Sequence, residues 1–167
     1  MPLLTLSRFT FAPRELAEIV EIYATNPAYF RAAGDYDPDR IPLAQVEADL
    51  RDEVETAGSE VLIARDGSGA AVGVLCLLER HPTDGHPWIG LLLVHGRFHR
   101  RGLGRQLVGL VEERYRAAGR EGLRLAVLEN NPSALAFWTA LGWHEIDRRK
   151  DLEHDRPSIV MHKTLLR

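Results

Sequence analysis

The chain has 167 residues, of which 45% are hydrophobic and 27% charged, and carries a net charge of −3 at pH 7. That length suits one domain able to bury roughly 70% of its unfolded surface, and mild acidity argues against general nucleic-acid binding. A single cysteine, Cys76, leaves no material for a disulfide framework or a cysteine metal cluster; the longest apolar run, residues 70–78, is far short of the roughly 18 residues of a membrane span; and no basic-then-apolar signal is present, so the expected location is cytoplasmic.

Residues 3–11 alternate as a first strand, and Pro13 suits the first turn of a helix whose inner face is Leu16, Ile19, Val20 and Tyr23. Asn26-Pro27 interrupts that helix, and residues 27–34 offer another short helical piece. After a polar loop, Pro42 opens a helix lined by Val46, Leu50 and Val54, with Gly58 as its stop. Residues 60–65 form a strand, and Asp66-Gly-Ser-Gly69 a hairpin turn. The next strand, 71–79, is nearly all apolar and should lie centrally, buried on both faces. For Cys76, inside that run, the simplest reading is a small buried hydrophobe.

The stretch from Trp88 to Leu107 organises the rest. An apolar strand feeds a basic turn with glycines, and Leu103, Leu107, Leu110 and Val111 then recur at helical spacing, which predicts a helix from about Gly102 to Ala118. The first N–H groups of a helix lack intrahelical acceptors, and the dipole is positive at that end, so such a turn suits a phosphate or pyrophosphate. Gly102 and Gly104 permit close backbone approach and unusual φ values. Arg97, Arg100, Arg101 and Arg105 concentrate positive charge in nine residues of an otherwise acidic chain. The turn is neither a P-loop nor a dinucleotide fingerprint, because both spacings are absent. A glycine-rich turn with solvated arginines is the plainer alternative.

Beyond that helix, residues 123–128 form another apolar strand. Asn131 is a natural N-cap and Pro132 a natural first residue for a helix carrying Ala134, Phe137, Trp138 and Leu141, ended by Gly142. Closing strands are expected at 143–150 and 157–165. The order β-α-α-β-β-β-α-β-α-β-β, with four helices, describes an α/β domain built on a mixed sheet of six to seven strands.

Two segments of this chain resemble N-acetyltransferases of the GNAT superfamily. Residues 91–104 are similar to the family's acetyl-CoA pyrophosphate loop, usually Gln/Arg-x-x-Gly-x-Gly/Ala, with His99 at its head here. Residues 131–143 are similar to its Asn…Ala…Phe/Leu-Tyr…Leu-Gly-Phe/Trp helix. The resemblance covers about residues 60–165, as an acetyl-CoA-binding core, and leaves 13–58 as variable substrate-side helices of one domain spanning 1–167. It implies a cleft where two parallel strands splay, ending at Val94 and Leu128. Acetyl-CoA would lie there, with amides from His99 through Arg100, Arg101, Gly102, Leu103 and Gly104 to Arg105 around the pyrophosphate. Backbone groups of Leu92, Leu93 and Val94 would pair with the pantetheine arm, and an N–H near Val94 would polarise the thioester carbonyl. Asn131 would contact the pantetheine or the reacting centre, and Phe137 and Trp138 would wall the acyl end. The amine attacks directly, without a covalent enzyme intermediate.

One departure bears on the chemistry. Trp138 stands where many members place a Tyr that protonates the leaving thiolate, and an indole N–H is a donor only. Either another group supplies that proton or the thiolate leaves unaided. A base for the ammonium acceptor is also needed, and residues 88–94 hold no carboxylate. Glu79 and His95 are the substitutes, each with a plain structural alternative: a solvated strand-end charge and a histidine paired with backbone. Tyr29, Phe30 and Tyr36 are candidates for the acceptor pocket, or else pack a short helix on the sheet. Asp35, Asp37 and Asp39 read as a solvated loop that can also attract a cation. His81, Asp84 and His86 match no closed zinc spacing, and no metal is expected.

These readings lead to an acetyl-CoA-dependent N-acetyltransferase acting on a primary amine of a small molecule or of a peptide or protein, with no nucleic-acid or membrane partner. A homodimer is compatible with such folds. The rival is a non-catalytic acyl-CoA-binding sensor or regulatory module; an unrelated anion-binding or nucleic-acid-binding domain would require the second motif to be coincidence.

Overall fold

A computed structural model describes residues 3–150 and 155–165. In chain order its elements are β1 (Thr5–Arg8), α1 (Pro13–Ala24), α2 (Pro27–Ala33), α3 (Leu43–Glu55), β2 (Ser59–Arg65), β3 (Ala71–Leu78), β4 (Trp88–Val94), a short 3-10 turn (Gly96–Phe98), α4 (Leu103–Ala117), β5 (Gly122–Leu128), α5 (Pro132–Ala140), β6 (His144–Lys150) and β7 (Pro157–Thr164). The strands make one mixed sheet in the order β1-β2-β3-β4-β5-β7-β6. The architecture is the expected one, with a fifth helix. Pro27 restarts the chain as α2 after the Asn26 break, and Gly34, at φ 78°, ends it in a left-handed cap.

Apolar positions sort the helices onto the two faces of the sheet. Leu75, Leu77, Ile89 and Leu125 pack with Leu107 and Val111 of α4 and with Trp138 of α5. Val74, Cys76 and Leu93 pack with Ile19, Ile22, Phe30 and Val46 of α1, α2 and α3 on the other face. β3, the most apolar strand, is buried on both sides as its composition predicts.

The feature that shapes the site is the seam between β4 and β5. These strands run parallel but pair only at Trp88↔Arg124 and Ile89↔Leu125. Opposite β3, Leu77 pairs with Ile89 and Cys76 with Leu91, so Gly90 is the extra residue of a bulge. A bulge bends its strand and changes which face the following side chains address. Ile89 accordingly joins the α4 side, whereas Leu91 joins the α1–α3 side. Past the bulge, β4 stays with β3 and leaves β5, which remains with β7. A gap opens between them.

A polar chain ties the lower ends of these strands together. Asp84 accepts from Trp88 Nε1 at 3.0 Å and pairs with Arg124 at 3.3 Å. Arg124 Nε in turn donates to His162 Nδ1 at 3.1 Å. His81 stacks on the Trp88 ring. Asp84 and His81 therefore fix a loop and a tryptophan, and among the described residues no group of three or more His, Cys, Asp or Glu side chains is placed to hold a metal.

His162 supplies a pH-dependent stability term. Burial first, then Arg124, His86 and His144, hold its pKa below the ordinary histidine value, and its Nδ1 already accepts a hydrogen bond. Between that lowered value and an unfolded value of about 6.5 the unfolded chain binds the extra proton. Stability should therefore fall as pH drops through that window, with no contribution from this group above it. Urea midpoints measured from pH 7.5 to 5 check this. His162→Gln, which keeps an acceptor for Arg124, should flatten the profile; an unaltered slope would assign the effect elsewhere.

Candidate active site

Backbone direction follows from the β3–β4 register. His95 N–H donates to Val72 O at 2.8 Å, and antiparallel ladders alternate. Leu93 and Leu91 are thus bonded to β3, and the N–H and C=O groups of Leu92 and Val94 point the other way, into the gap. β5 does not pair with them. Leu93 itself turns its side chain toward α1–α3.

Val94 O is held by two side chains, Asn26 Nδ2 at 3.0 Å and His99 Nε2 at 2.7 Å. A carbonyl only accepts, so His99 carries its proton on Nε2. The histidine at the head of the basic loop therefore fastens that loop to the end of β4. The two residues after α1 complete the junction. Asn26 Nδ2 also donates to Ile22 O at 2.8 Å, and Thr25 Oγ1 accepts from Gly96 N–H at 2.9 Å.

Between His99 and α4 the backbone turns through two left-handed residues, Arg100 at φ 62° and Gly102 at φ 78°. A left-handed non-glycine residue is costly and tends to occur where function needs the geometry. Gln106 N–H takes the Gly102 carbonyl at 3.0 Å. The amides of Leu103, Gly104 and Arg105 precede that first helical bond and are presented outward at the end of the gap. Arg97, Arg100, Arg101 and Arg105 surround them, all exposed. Among the described residues none of these four guanidiniums is in a salt bridge. Amides, dipole and guanidiniums form a donor set chemically suited to a pyrophosphate. Gly104 has a role the sequence did not reveal: a Cβ there would meet the Phe137 ring at 3.3 Å, so its missing side chain lets α5 close on α4.

On the α1–α3 side of the same gap lies a pocket of about 370 Å³. Its floor is Gly90, Leu91, Ala126 and Leu128, the parted residues of β4 and β5. Tyr29, Phe30 and Tyr36, expected from the sequence, wall it, joined by Tyr23 of α1 and Trp88 of β4. Burial pushes the Tyr29 phenol up to about 12 and the Tyr23 and Tyr36 phenols well above their ordinary value, so all three are neutral donors at pH 7. Glu53, Asp35 and Arg156 bring the charges. Sequence reading passed over Tyr23, Glu53, Trp88 and Arg156. Tyr23 reads as one more core position of α1, Trp88 as the first residue of the organising strand, and Glu53 and Arg156 belong to segments without a motif.

Other expected residues fall elsewhere. Glu79 lies one step beyond the Leu78↔Trp88 pair, so Val94 is roughly 20 Å along β4 from it. Its carbonyl accepts from Arg120. His95 is built into the 3-10 turn, with Nδ1 accepting from Arg97 N–H at 3.1 Å and Nε2 at 3.4 Å from Glu21. Neither lines the pocket. Asn131 caps α5 through Oδ1, accepting from Ala134 N–H at 3.2 Å. Trp138 is 8% exposed, with its ring 5.0 Å from Phe137 and 5.2 Å from Trp143. It belongs to the core on the α4 side.

The family model described as "Acetyltransferase (GNAT) family" matches residues 17–143. No match was found among curated proteins. Solved structures are similar over almost the whole chain. An acetyltransferase from Thermus thermophilus shares 26% identity, with 98% of this chain and 99% of that chain covered and a TM-score of 0.74. Spermidine N-acetyltransferase from Vibrio cholerae, solved with CoA and spermine, shares 14% identity over 97% and 95%, with a TM-score of 0.72. The ribosomal-protein-S18-alanine N-acetyltransferase from Escherichia coli shares 14% over 99% and 96%, with a TM-score of 0.65; these last two likenesses concern the fold.

Proposed function

Because the chain belongs to the acetyltransferase (GNAT) family, we propose that it transfers an acetyl group from acetyl-CoA directly to a primary amine held in the pocket above Gly90. The observation that carries this reading is the parting of β4 from β5 after Ile89 and Leu125. It leaves one gap with anion donors at its open end and a pocket at its closed end.

Acetyl-CoA supplies an acyl group already activated as a thioester. The residues of this chain bind, orient and exclude water. The amides of Leu103, Gly104 and Arg105, with Arg100 and Arg101 beside them, hold the pyrophosphate. The N–H and C=O of Leu92 and the N–H of Val94 take the place of a missing strand and pair with the pantetheine arm, the Val94 carbonyl being held by Asn26 and His99. An N–H fixed on a central strand needs no reorganisation when negative charge grows on the thioester oxygen, which is why such donors are effective. The acceptor enters from the α1–α3 side, where Tyr23, Tyr29 and Phe30 keep the approach apolar. An amine must be neutral at attack, so one proton leaves before the N–C bond forms and a second from the new amide nitrogen, while the departing thiolate takes up one. Tyr23 and Tyr29 are neutral hydroxyls lining that pocket, whereas Trp138 is buried in the core on the α4 side.

Thiol release from acetyl-CoA, followed with polyamines, aminoglycosides, amino acids and short peptides, tests the proposal. The background from the protein itself should be small, because burial raises the Cys76 thiol far above its usual range. Release that depends on one acceptor class is the expected result. Tight acetyl-CoA binding with no release from any acceptor would favour a non-catalytic acyl-CoA-binding module instead.

A further inference from the structure

The charge and ring content of the pocket specify the acceptor more narrowly, a step that rests on the reading just given of the pocket as the acceptor site. We propose that the acceptor is a primary monoamine with an aromatic or compact apolar body and no carboxylate, drawn in as its ammonium form by Glu53.

The rings form a continuous wall. Tyr23 lies 4.8 Å from Phe30 and is stacked at 6.2 Å on Tyr36, and Tyr29 meets Phe30 edge-on at 4.9 Å. Trp88 faces them from β4, held by Asp84 and His81. Aromatic faces attract cations and bury flat apolar groups equally well. A volume of about 370 Å³ sits at the lower end of the ligand-pocket range, which suits a small molecule.

Among the described residues that line the pocket, Asp35, Glu53 and Arg156, the charges count out to one negative. Arg156 is 3.6 Å from Asp35 and donates to Ala33 O, so this cation and this anion answer each other. The three phenols are neutral. Glu53 remains, with Ser59 Oγ donating to its Oε1 at 2.8 Å and Oε2 left to meet a ligand. The acidic residues nearby serve the protein: Asp49 is bonded by Tyr36 and Gln45, and Asp37 accepts from Asp39 N–H. One carboxylate among rings matches one ammonium. A triply charged polyamine would leave two ammonium groups among aromatic walls without counter-charge, and an amino acid would bring its carboxylate toward Glu53.

Three probes of related size separate these cases: phenethylamine, phenylalanine and spermidine. In the acetyl-transfer assay phenethylamine should give a kcat/KM at least tenfold above either of the others. Glu53→Gln should raise its KM about tenfold with kcat changed less than threefold. That variant should leave unchanged the inhibition by 2-phenylethanol, the neutral counterpart, which a merely structural role for Glu53 would disturb. Preference for spermidine or phenylalanine, or an unchanged KM in Glu53→Gln, would overturn the proposal. Acetyl-CoA affinity, measured separately by calorimetry, distinguishes the two levels. Normal acetyl-CoA binding and turnover with another acceptor sinks only this inference, whereas loss of transfer to every amine sinks the reading beneath it.

Discussion

Asn26→Asp should lower the unfolding free energy at pH 7 by about 3–5 kcal/mol, the cost of a buried charge deprived of its partner. The change replaces one NH2 by one oxygen in a side chain that is 9% exposed. Both hydrogens of that NH2 are in use, on Ile22 O and Val94 O. A carboxylate in the same place would face two carbonyl oxygens with no proton to offer. Its folded pKa would rise above the unfolded value of about 3.9, so the folded variant binds a proton more readily than the unfolded one. Stability of the variant should therefore fall as pH rises from 4 toward that raised value, and the deficit against the parent should be smallest near pH 4. Asn26→Ala provides the comparison. It deletes both hydrogen bonds without adding charge and should cost about 1–3 kcal/mol, with no dependence on pH. Urea denaturation at pH 4 and pH 7 separates the two variants. Equal losses at both pH values would mean that Asn26 does not span the two carbonyls in solution.

The prominence of Asn26 shows which parts of this molecule were legible in the sequence. Element order was readable because hydrophobic period and turn residues act locally. Pro13, Pro27, Pro132 and the Gly69 turn each stand where their backbone chemistry predicts. The basic loop was readable for the same reason, since a strand, glycines and a helix start are contiguous. The seam between β4 and β5 could be named only through a family resemblance, because no local signal marks where two strands cease to pair. The expectations for a base went to Glu79 and His95 by proximity in sequence to β4. A carboxylate that lines the pocket, Glu53, comes from the last turn of α3, brought in by packing between elements far apart in the chain. Asn26 read as a helix break and nothing more. Its second partner, Val94, is 68 residues away, and no periodicity reports such a distance.

A valine at position 104 should weaken acetyl-CoA binding about a hundredfold while the protein stays folded. Gly104 lies in the first turn of α4, where a Cβ would already press on the Phe137 ring at 3.3–3.4 Å and approach Val94 Cγ2 at 3.8 Å. Phe137 meets the buried Trp138 edge-on, and Trp138 in turn meets Trp143, which limits how far the Phe137 ring can withdraw. The start of α4 must move instead, and with it the amides of Leu103, 104 and Arg105 that the proposed pyrophosphate site uses. Hydrogen bonds to a phosphate weaken steeply with misalignment, and a hundredfold loss corresponds to about 2.7 kcal/mol spread over several donors. The same helix supplies its own control. Gly109 is exposed, and a Cβ there meets nothing within 4 Å. Gly109→Ala should therefore stabilise the protein by about 1 kcal/mol through helix propensity alone and leave acetyl-CoA affinity untouched. Calorimetric titration of both variants with acetyl-CoA, beside their thermal midpoints, decides the matter. If Gly104→Val binds as the parent does, the amide terminus of α4 is not the pyrophosphate site. If Gly109→Ala loses affinity as well, the effect travels through the whole helix, and the local argument from the Phe137 contact fails.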